Sequence, residues 1–393
     1  VAFPGTFWTI KAFEPPSLQP SPLRRQGPSP FGPRRDHGYE MLAIDETHVM
    51  FPRNTEYEIF SVRGQRHTLG AVFILNHKTI FKAGMPPVAE IAEQAHREGA
   101  LLDLDKHNWP WSMMLVPIAK VDLYELANNS VWRTEFGFRN SSTAPAKFMQ
   151  VEIDRRGMTE WGWLNFGFEN YYTLLNCGFR LQPTAGTASG VHPVPLGYGR
   201  VYVYLEDGFN GKAWIDGLRR GRSFVTTGPM LLVKVNDRQA GHLFQQPDKK
   251  PRPYRVSGGV VSERPLDRIE IIVNGEIAET LQPQNKKTAA SAFRSNISQD
   301  VTLSESSWIA VRCIQYGPER RVRFAHTAPW HIEIAGEPIR PRKYEIEFLI
   351  RRVRDELARN QKILPPAALE EYRTALKIYE EIGKRAREPE KSK

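Results

Sequence analysis

The stretch Gly99-Ala-Leu-Leu-Asp-Leu-Asp-Lys-His107 sets the reading of this chain. Its apolar run predicts a buried strand that ends in ionisable side chains. Successive strand residues point to opposite faces, so Asp103, Asp105 and His107 would share one face and Leu102 and Leu104 the other. Three ionisable groups on one face of an apolar strand cost free energy to bury unless something pairs with them. A divalent metal accounts for the pattern, because it takes ionised carboxylates and neutral imidazole together. The alternative is a strand that gives way to a polar loop at Lys106.

The flanking sequence supplies the frame. Pro86-Pro-Val-Ala-Glu-Ile-Ala-Glu-Gln-Ala-His-Arg-Glu98 has the spacing of an amphipathic helix, with prolines at its start and Gly99 at its end. Upstream, Glu56-Tyr-Glu-Ile-Phe-Ser-Val62 and His67-Thr-Leu-Gly-Ala-Val-Phe-Ile-Leu75 flank Arg63-Gly-Gln-Arg66, the pattern of a hairpin. Downstream, Val121-Asp-Leu-Tyr-Glu-Leu-Ala127 reads as a strand, and residues 169–177 as a helix closed by Gly178. A short strand then leads into Thr184-Ala-Gly-Thr187, and a helix over 212–220 leads into Ser223-Phe-Val-Thr-Thr227. Helices alternating with short strands predict an α/β layer or barrel over residues 39–228, with chemistry at the C-terminal ends of its strands. After Gly228-Pro229 short strands alternate with turn residues, and Asn274-Gly275 is a two-residue hairpin signal. This predicts a small β-sandwich over 229–335. Residues 336–393 carry two amphipathic helices, 342–361 and 365–383, split by Pro365-Pro366; they form a helical hairpin with a basic tail, docked through its apolar face. Residues 1–38 hold eight of the 30 prolines and read as a disordered Pro/Arg-rich segment.

Composition narrows the function classes. A hydrophobic content of 40% with 25% charged residues is that of a soluble globular protein. No run of about 20 apolar residues is present, so no membrane span is expected. Two cysteines, Cys177 and Cys313, exclude a disulfide scaffold and a cysteine-based zinc site. The net charge of +10 is concentrated at the ends: residues 1–38 carry five Lys/Arg against two acids, and 340–393 carry fifteen against ten. With the middle near neutral and no aromatic-basic stacking platform in it, a nucleic-acid partner is not expected. The chain opens at Val1 without a targeting pattern, and the expectation is an N-terminally truncated chain whose compartment, cytoplasmic or periplasmic, is left open. The oligomeric state is left open.

Of the ten histidines, His37, His242, His326 and His331 lie outside the α/β segment or in its suspect leader, and His96 falls on an amphipathic helix. His67 opens a strand across the hairpin from Glu56 and Glu58, where an imidazole and a carboxylate could ligate one metal or form a surface pair. His77 sits ten residues along the same strand, too far to join them. His192 lies in a Gly/Ser/Thr-rich loop after a strand, a position where binding residues occur. Glu125 ends a strand and could be a ligand, a base or a plain strand-end acid. No phosphate loop, nucleophile elbow or Cys–His pair is present.

Several of these segments in order resemble the CehA/McbA-like (carbaryl-hydrolase type) metallohydrolases of the PHP, or polymerase and histidinol phosphatase, superfamily. The resemblance rests on Ala95-His-Arg-Glu-Gly-Ala-Leu-Leu-Asp-Leu-Asp-Lys-His-Asn-Trp-Pro110, Val121-Asp-Leu-Tyr-Glu-Leu126, Leu174-Leu-Asn-Cys-Gly-Phe-Arg-Leu181, Pro183-Thr-Ala-Gly-Thr187, Gly221-Arg-Ser-Phe-Val-Thr-Thr-Gly-Pro229 and Ile269-Glu-Ile-Ile-Val-Asn-Gly275. It implies a distorted PHP-type (β/α) barrel, possibly incomplete, with a trailing β-sandwich, and metal-dependent hydrolysis of ester, carbamate or phosphoester bonds in a small-molecule substrate. By position, His107 is similar to the family's ligand after the helix–Gly–strand segment, and Glu58 or Glu56 with His67 to its Glu…His pair. The family's His-x-His pair is absent, and its late Asp-x-His element is replaced by Thr187-Ala188-Ser189, with His192 a few residues on.

The expectation is therefore a divalent metal ion (Zn, Mn or Fe) held by His67, His107 and Glu58, with His192 as a further ligand. Asp105 or Glu125 would be the general base that takes a proton from the metal-bound water. The missing ligands favour the alternative, a degenerate barrel that serves as a binding or scaffold protein.

Overall fold

The hairpin forms because Arg63 and Gly64 both adopt positive φ, 51° and 77°, the two-residue turn whose twist matches its strands. The computed structural model describes residues 10–11, 41–43, 48–51, 53–128, 136–187 and 197–388. The turn joins β1 (Thr55–Val62) to β2 (Gln65–Leu75). α1 (Ala89–Arg97) feeds β3 (Leu101–Leu104), and α2 (Ser112–Ile118) connects it to β4 (Leu123–Ala127). α3 (Glu160–Asn176) then leads to β5 (Gln182–Ala185). The order β1-β2-β3-β4-β5 is antiparallel up to β3 and parallel from there, with Ile10–Lys11 on the outer edge of β1. Parallel neighbours bring their C-terminal ends to one edge, and that edge carries the ionisable groups described below.

Helix α3 begins at Glu160, nine residues before the start expected from sequence. The Thr159 hydroxyl accepts from the Gly162 amide at 3.0 Å and caps it. The run Trp161-Gly-Trp-Leu-Asn-Phe-Gly-Phe168 shows no one-sided periodicity because this helix is buried on nearly every side.

The remaining strands are β6 (Arg200–Val203), β7 (Ser223–Thr226), β8 (Met230–Val235), β9 (Leu243–Gln246), β10 (Arg252–Ser262), β11 (Arg268–Val273), β12 (Glu276–Leu281), β13 (Phe293–Leu303), β14 (Ser307–Tyr316), β15 (Val322–Thr327) and β16 (Trp330–Ile334), with α4 (Gly211–Arg219) between β6 and β7. A second sheet runs β6-β7-β15-β14-β11-β12, with β16 beside β14 and β9 beside β16. A third, β8-β10-β13 with Lys286–Lys287, shares with it an apolar core that includes Val235, Val256, Ile271 and Trp330. The second sheet thus takes two strands from the α/β portion and the rest from the β portion. β5 lies beside β6 and β7 without a shared hydrogen-bond ladder.

The chain is a mixed α/β protein with six α-helices among the described residues, none of them long and apolar enough to cross a membrane. The last two, α5 (Lys343–Asn360) and α6 (Pro366–Gly383), belong to the core. The Tyr379 hydroxyl donates to the Met113 carbonyl at 2.7 Å. The buried Glu371 carboxylate accepts from the Val88 and Ala89 amides at 2.7 and 2.8 Å, an acid placed at the N-terminus of α1.

Arg312 of β14 ties the β portion to α3. Its Nε lies 2.5 Å from Glu270 Oε2, and its guanidinium packs 5.0 Å from the Phe168 ring centre and 5.4 Å from that of Trp161. Removing Arg312 takes away the buried partner of Glu270 and leaves it only Arg268, a partly exposed guanidinium 2.7 Å from its other oxygen. Arg312→Met should lower unfolding free energy by about 3 kcal/mol, read from the urea midpoint. The double variant with Glu270→Leu should recover most of that loss.

Candidate active site

β3, β4 and β5 run parallel, and their register puts Asp103 beside Leu123 and Thr184 beside Glu125. On the other flank Asp103 pairs with Phe73, and Phe73 with Glu56. Residues paired across neighbouring strands share a face, and so do residues two apart along one strand. Glu56, Asp103, Glu125 and Thr184 therefore converge on one face. Asp105, just past the end of β3, joins them and lies within hydrogen-bonding reach of Glu125. Two carboxyl groups can use that reach only with a proton between them.

Lys106 supplies the positive charge. Its Nζ is 2.5 Å from Asp105 Oδ2 and 5.7 Å from the centre of the Trp109 ring. Only 14% of the Lys106 side chain and 12% of the Asp105 side chain are exposed, enough for solvent to reach the cluster. Gly186 makes room for Glu125, since a Cβ there would fall 2.3 Å from its Oε1. Thr184 Oγ1 donates to Asp103 Oδ2 at 2.7 Å. Two buried carboxyl oxygens, Asp103 Oδ1 and Glu125 Oε2, have no hydrogen-bond partner among the described residues.

The carboxyl groups differ in charge state because their surroundings differ. Burial, the largest influence, works against ionisation of Asp105, but the Lys106 charge together with hydrogen bonds from Glu125, Lys106 and Trp109 outweighs it and holds Asp105 below the ordinary carboxylate range. Burial and then the Asp105 charge push Glu125 well above its usual value. Burial raises Asp103 to about 7 against the Thr184 hydrogen bond, and burial with the Asp105 charge raises Glu56 to about 8. Near neutral pH the site holds an ionised Asp105 beside a protonated Glu125.

The structure does not bring the expected metal ligands together. β3 ends at Leu104, so the strand alternation does not extend to His107. The buried His107 ring packs 6.4 Å from Tyr124, 5.4 Å from Trp163 and 4.9 Å from Phe166, centre to centre. Tyr124 points away from the face of Glu125, so His107 lies on the α3 side of the sheet. Burial, then the nearby Arg352 charge, lowers its pKa to about 3, and its Nε2 has no partner. His67 does not lie opposite Glu56 and Glu58: the ladder pairs those glutamates with Phe73 and Ala71. Its Nε2 is instead 2.6 Å from Asn360 Oδ1 at the end of α5. Glu58 is exposed. His192 lies outside the described residues.

A divalent metal fits the donor chemistry of the cluster, through the two unpartnered carboxyl oxygens, but not the geometry the cluster takes with Lys106 among its carboxyl groups. Among the described residues no three His, Cys, Asp or Glu side chains gather as metal ligands, and an ammonium already lies against Asp105.

Sequence reasoning missed two participants. Lys106 is the residue at which, in the alternative reading, the strand gives way to a polar loop, and leaving the strand there is what turns its side chain into the cluster. Arg352, some 240 residues away in sequence, reaches the Trp109 carbonyl from α5 at 3.1 Å and gave no signal.

An acid whose pKa is raised by folding stabilises the fold when protonated, and that contribution is lost as pH rises from its unfolded value toward its folded one. For Asp103 the window runs from 3.8 to about 7. Asp103→Asn keeps an acceptor for Thr184 and removes this penalty. Denaturant midpoints should show the variant more stable than wild type at pH 8, by roughly 2 kcal/mol, with a much smaller difference at pH 4.

Comparison with protein-family models, curated proteins and solved structures finds no match to this chain. What the site does has to be argued from its own residues.

Proposed function

We propose that this chain is a hydrolase of the ester, carbamate or phosphoester bonds that the CehA/McbA resemblance implies, in a small-molecule substrate and on a distorted (β/α) barrel frame. It works through its carboxyl pair rather than through the metal-activated water that the resemblance also implies. The observation that carries this reading is the Asp105–Glu125 pair. Neighbouring carboxyl groups whose surroundings push their ionisation apart supply a base and an acid at the same pH.

The ionised Asp105 takes a proton from water as the water oxygen bonds to the substrate carbonyl carbon or phosphorus. Negative charge gathers on the substrate oxygen, where the Lys106 ammonium stabilises it. The bond to the leaving group breaks, and Glu125 gives its proton to the departing oxygen or nitrogen. The proton on Asp105 then passes to Glu125 through their hydrogen bond, which restores both groups.

A second reading is supported by the separation of His67 and His107. A barrel that keeps the carboxyl cluster but has lost catalysis would act as a binding or scaffold protein.

Screening nitrophenyl esters, naphthyl carbamates and nitrophenyl phosphates should find turnover that rises with pH as Asp105 ionises and falls as Glu125 does. Asp105→Asn and Glu125→Gln should each lower kcat by about 10²- to 10⁴-fold. Gly186→Ala should lower it through displacement of Glu125. Turnover unaffected by both carboxyl variants would overturn the assignment, and none with any class of substrate would leave the binding reading.

A further inference from the structure

We propose that the ammonium of Lys106 is the resident cation of this site, filling the role that a divalent metal has in the hydrolases the chain resembles. The proposal deepens the hydrolase reading and rests on it for the identity of the site, though not for its test.

Four carboxyl groups, those of Glu56, Asp103, Asp105 and Glu125, converge on one face at the strand ends, and the cationic group among them is Lys106. It is not a surface lysine that happens to fold back, for only 14% of its side chain is exposed. Its backbone is fixed as well. The Lys106 carbonyl accepts from the Ser112 hydroxyl at 2.6 Å and from the Trp109 amide at 3.3 Å, which holds the turn from β3 into α2. Trp109 in turn packs under the ammonium, and Gly70, where a Cβ would fall 2.5 Å from Trp109 Cβ, lets the indole approach β2.

The same turn makes an exchange. An uninterrupted strand would carry the side chains of 105 and 107 to the carboxyl face and that of 106 to the other. Here Lys106 enters the carboxyl cluster and His107 leaves it for the aromatic pocket of Trp163 and Phe166. The His107 ring lies against Gly167 of α3, where even a Cβ would make an ordinary contact at 3.4 Å. One backbone turn thus adds a positive charge and removes an imidazole donor. A divalent cation and the Lys106 ammonium compete for one set of carboxyl oxygens. An ammonium balances a single charge, donates hydrogen bonds and leaves water activation to a carboxylate.

The test is cation binding by the full chain, measured by plasma mass spectrometry and by calorimetry with Mn²⁺ and Zn²⁺. Wild type and Lys106→Arg should hold well under one equivalent after dialysis. At pH 8 Lys106→Met should take up about one equivalent, lost again when Asp105→Asn is added, because carboxylates that have lost the ammonium are then balanced by the divalent cation rather than by protons. Circular dichroism establishes that each variant is folded. About one equivalent in the wild type overturns the proposal, and so does a folded Lys106→Met that binds none. If Lys106→Met does not fold, Lys106→Gln replaces it, and the wild-type measurement can overturn the proposal alone. Hydrolysis is not read in this experiment, so failure of the hydrolase reading would appear separately, as cation exclusion without turnover.

Discussion

Where β3 ends, the Ser112 hydroxyl takes the Lys106 carbonyl at 2.6 Å, and the chain turns into α2 rather than running on as a strand. The placement of Asp105, Lys106 and His107 follows from that turn. Asp105 stays level with Glu125, Lys106 closes on Asp105, and His107 is carried to the far side of the sheet. The turn is itself held from behind. Trp109 receives Arg352 from α5 on its carbonyl, and α6 anchors α2 through the Tyr379 hydroxyl. The C-terminal hairpin therefore acts on the site indirectly, by fixing the helix into which the strand turns.

The charge of the cluster constrains its chemistry. Burying four ionised carboxylates with one ammonium would leave a large uncompensated charge in a region of low dielectric. The protein resolves this by keeping some of them protonated: Glu125 and Glu56 are shifted upward and Asp103 to about 7, while Asp105 alone is held low by its contact with Lys106. The same imbalance that lowers stability at high pH sets an acid beside a base. Stability and reactivity at this edge of the sheet thus have one origin, and a substitution that relieves the strain of charge is expected to remove function with it.

Much of the frame was legible in the chain. Alternation along 101–104 and 123–127, with a helix ending at Gly99, was enough to place Asp103 and Glu125 at the C-terminal ends of neighbouring strands. The Asn274-Gly275 turn was legible too, and both residues adopt positive φ, 49° and 86°. What alternation could not give was the residue at which it stops. Extending it three residues past Leu104 put His107 with the carboxylates and left Lys106 out, the reverse of the observed arrangement. The expected pairing across the hairpin failed because the two-residue turn at Arg63-Gly64 sets Ser61 opposite Arg66, and the glutamates pair farther along β2, with Phe73 and Ala71. The partner of His67, Asn360, lies 293 residues away, beyond any local pattern. Helix α3 was undercalled because a helix buried all round has no amphipathic signature.

The central claim is that Asp105 and Glu125 share one proton beside Lys106, and the most direct measurement is a carbon-13 titration of the Glu125 carboxyl in selectively labelled protein. The account predicts a Glu125 resonance that stays at its protonated position through neutral pH in the wild type. In Asp105→Asn it should shift to titrate lower, because the neighbouring negative charge is gone. A wild-type Glu125 that ionises near the ordinary glutamate value, indifferent to Asp105, would contradict the account.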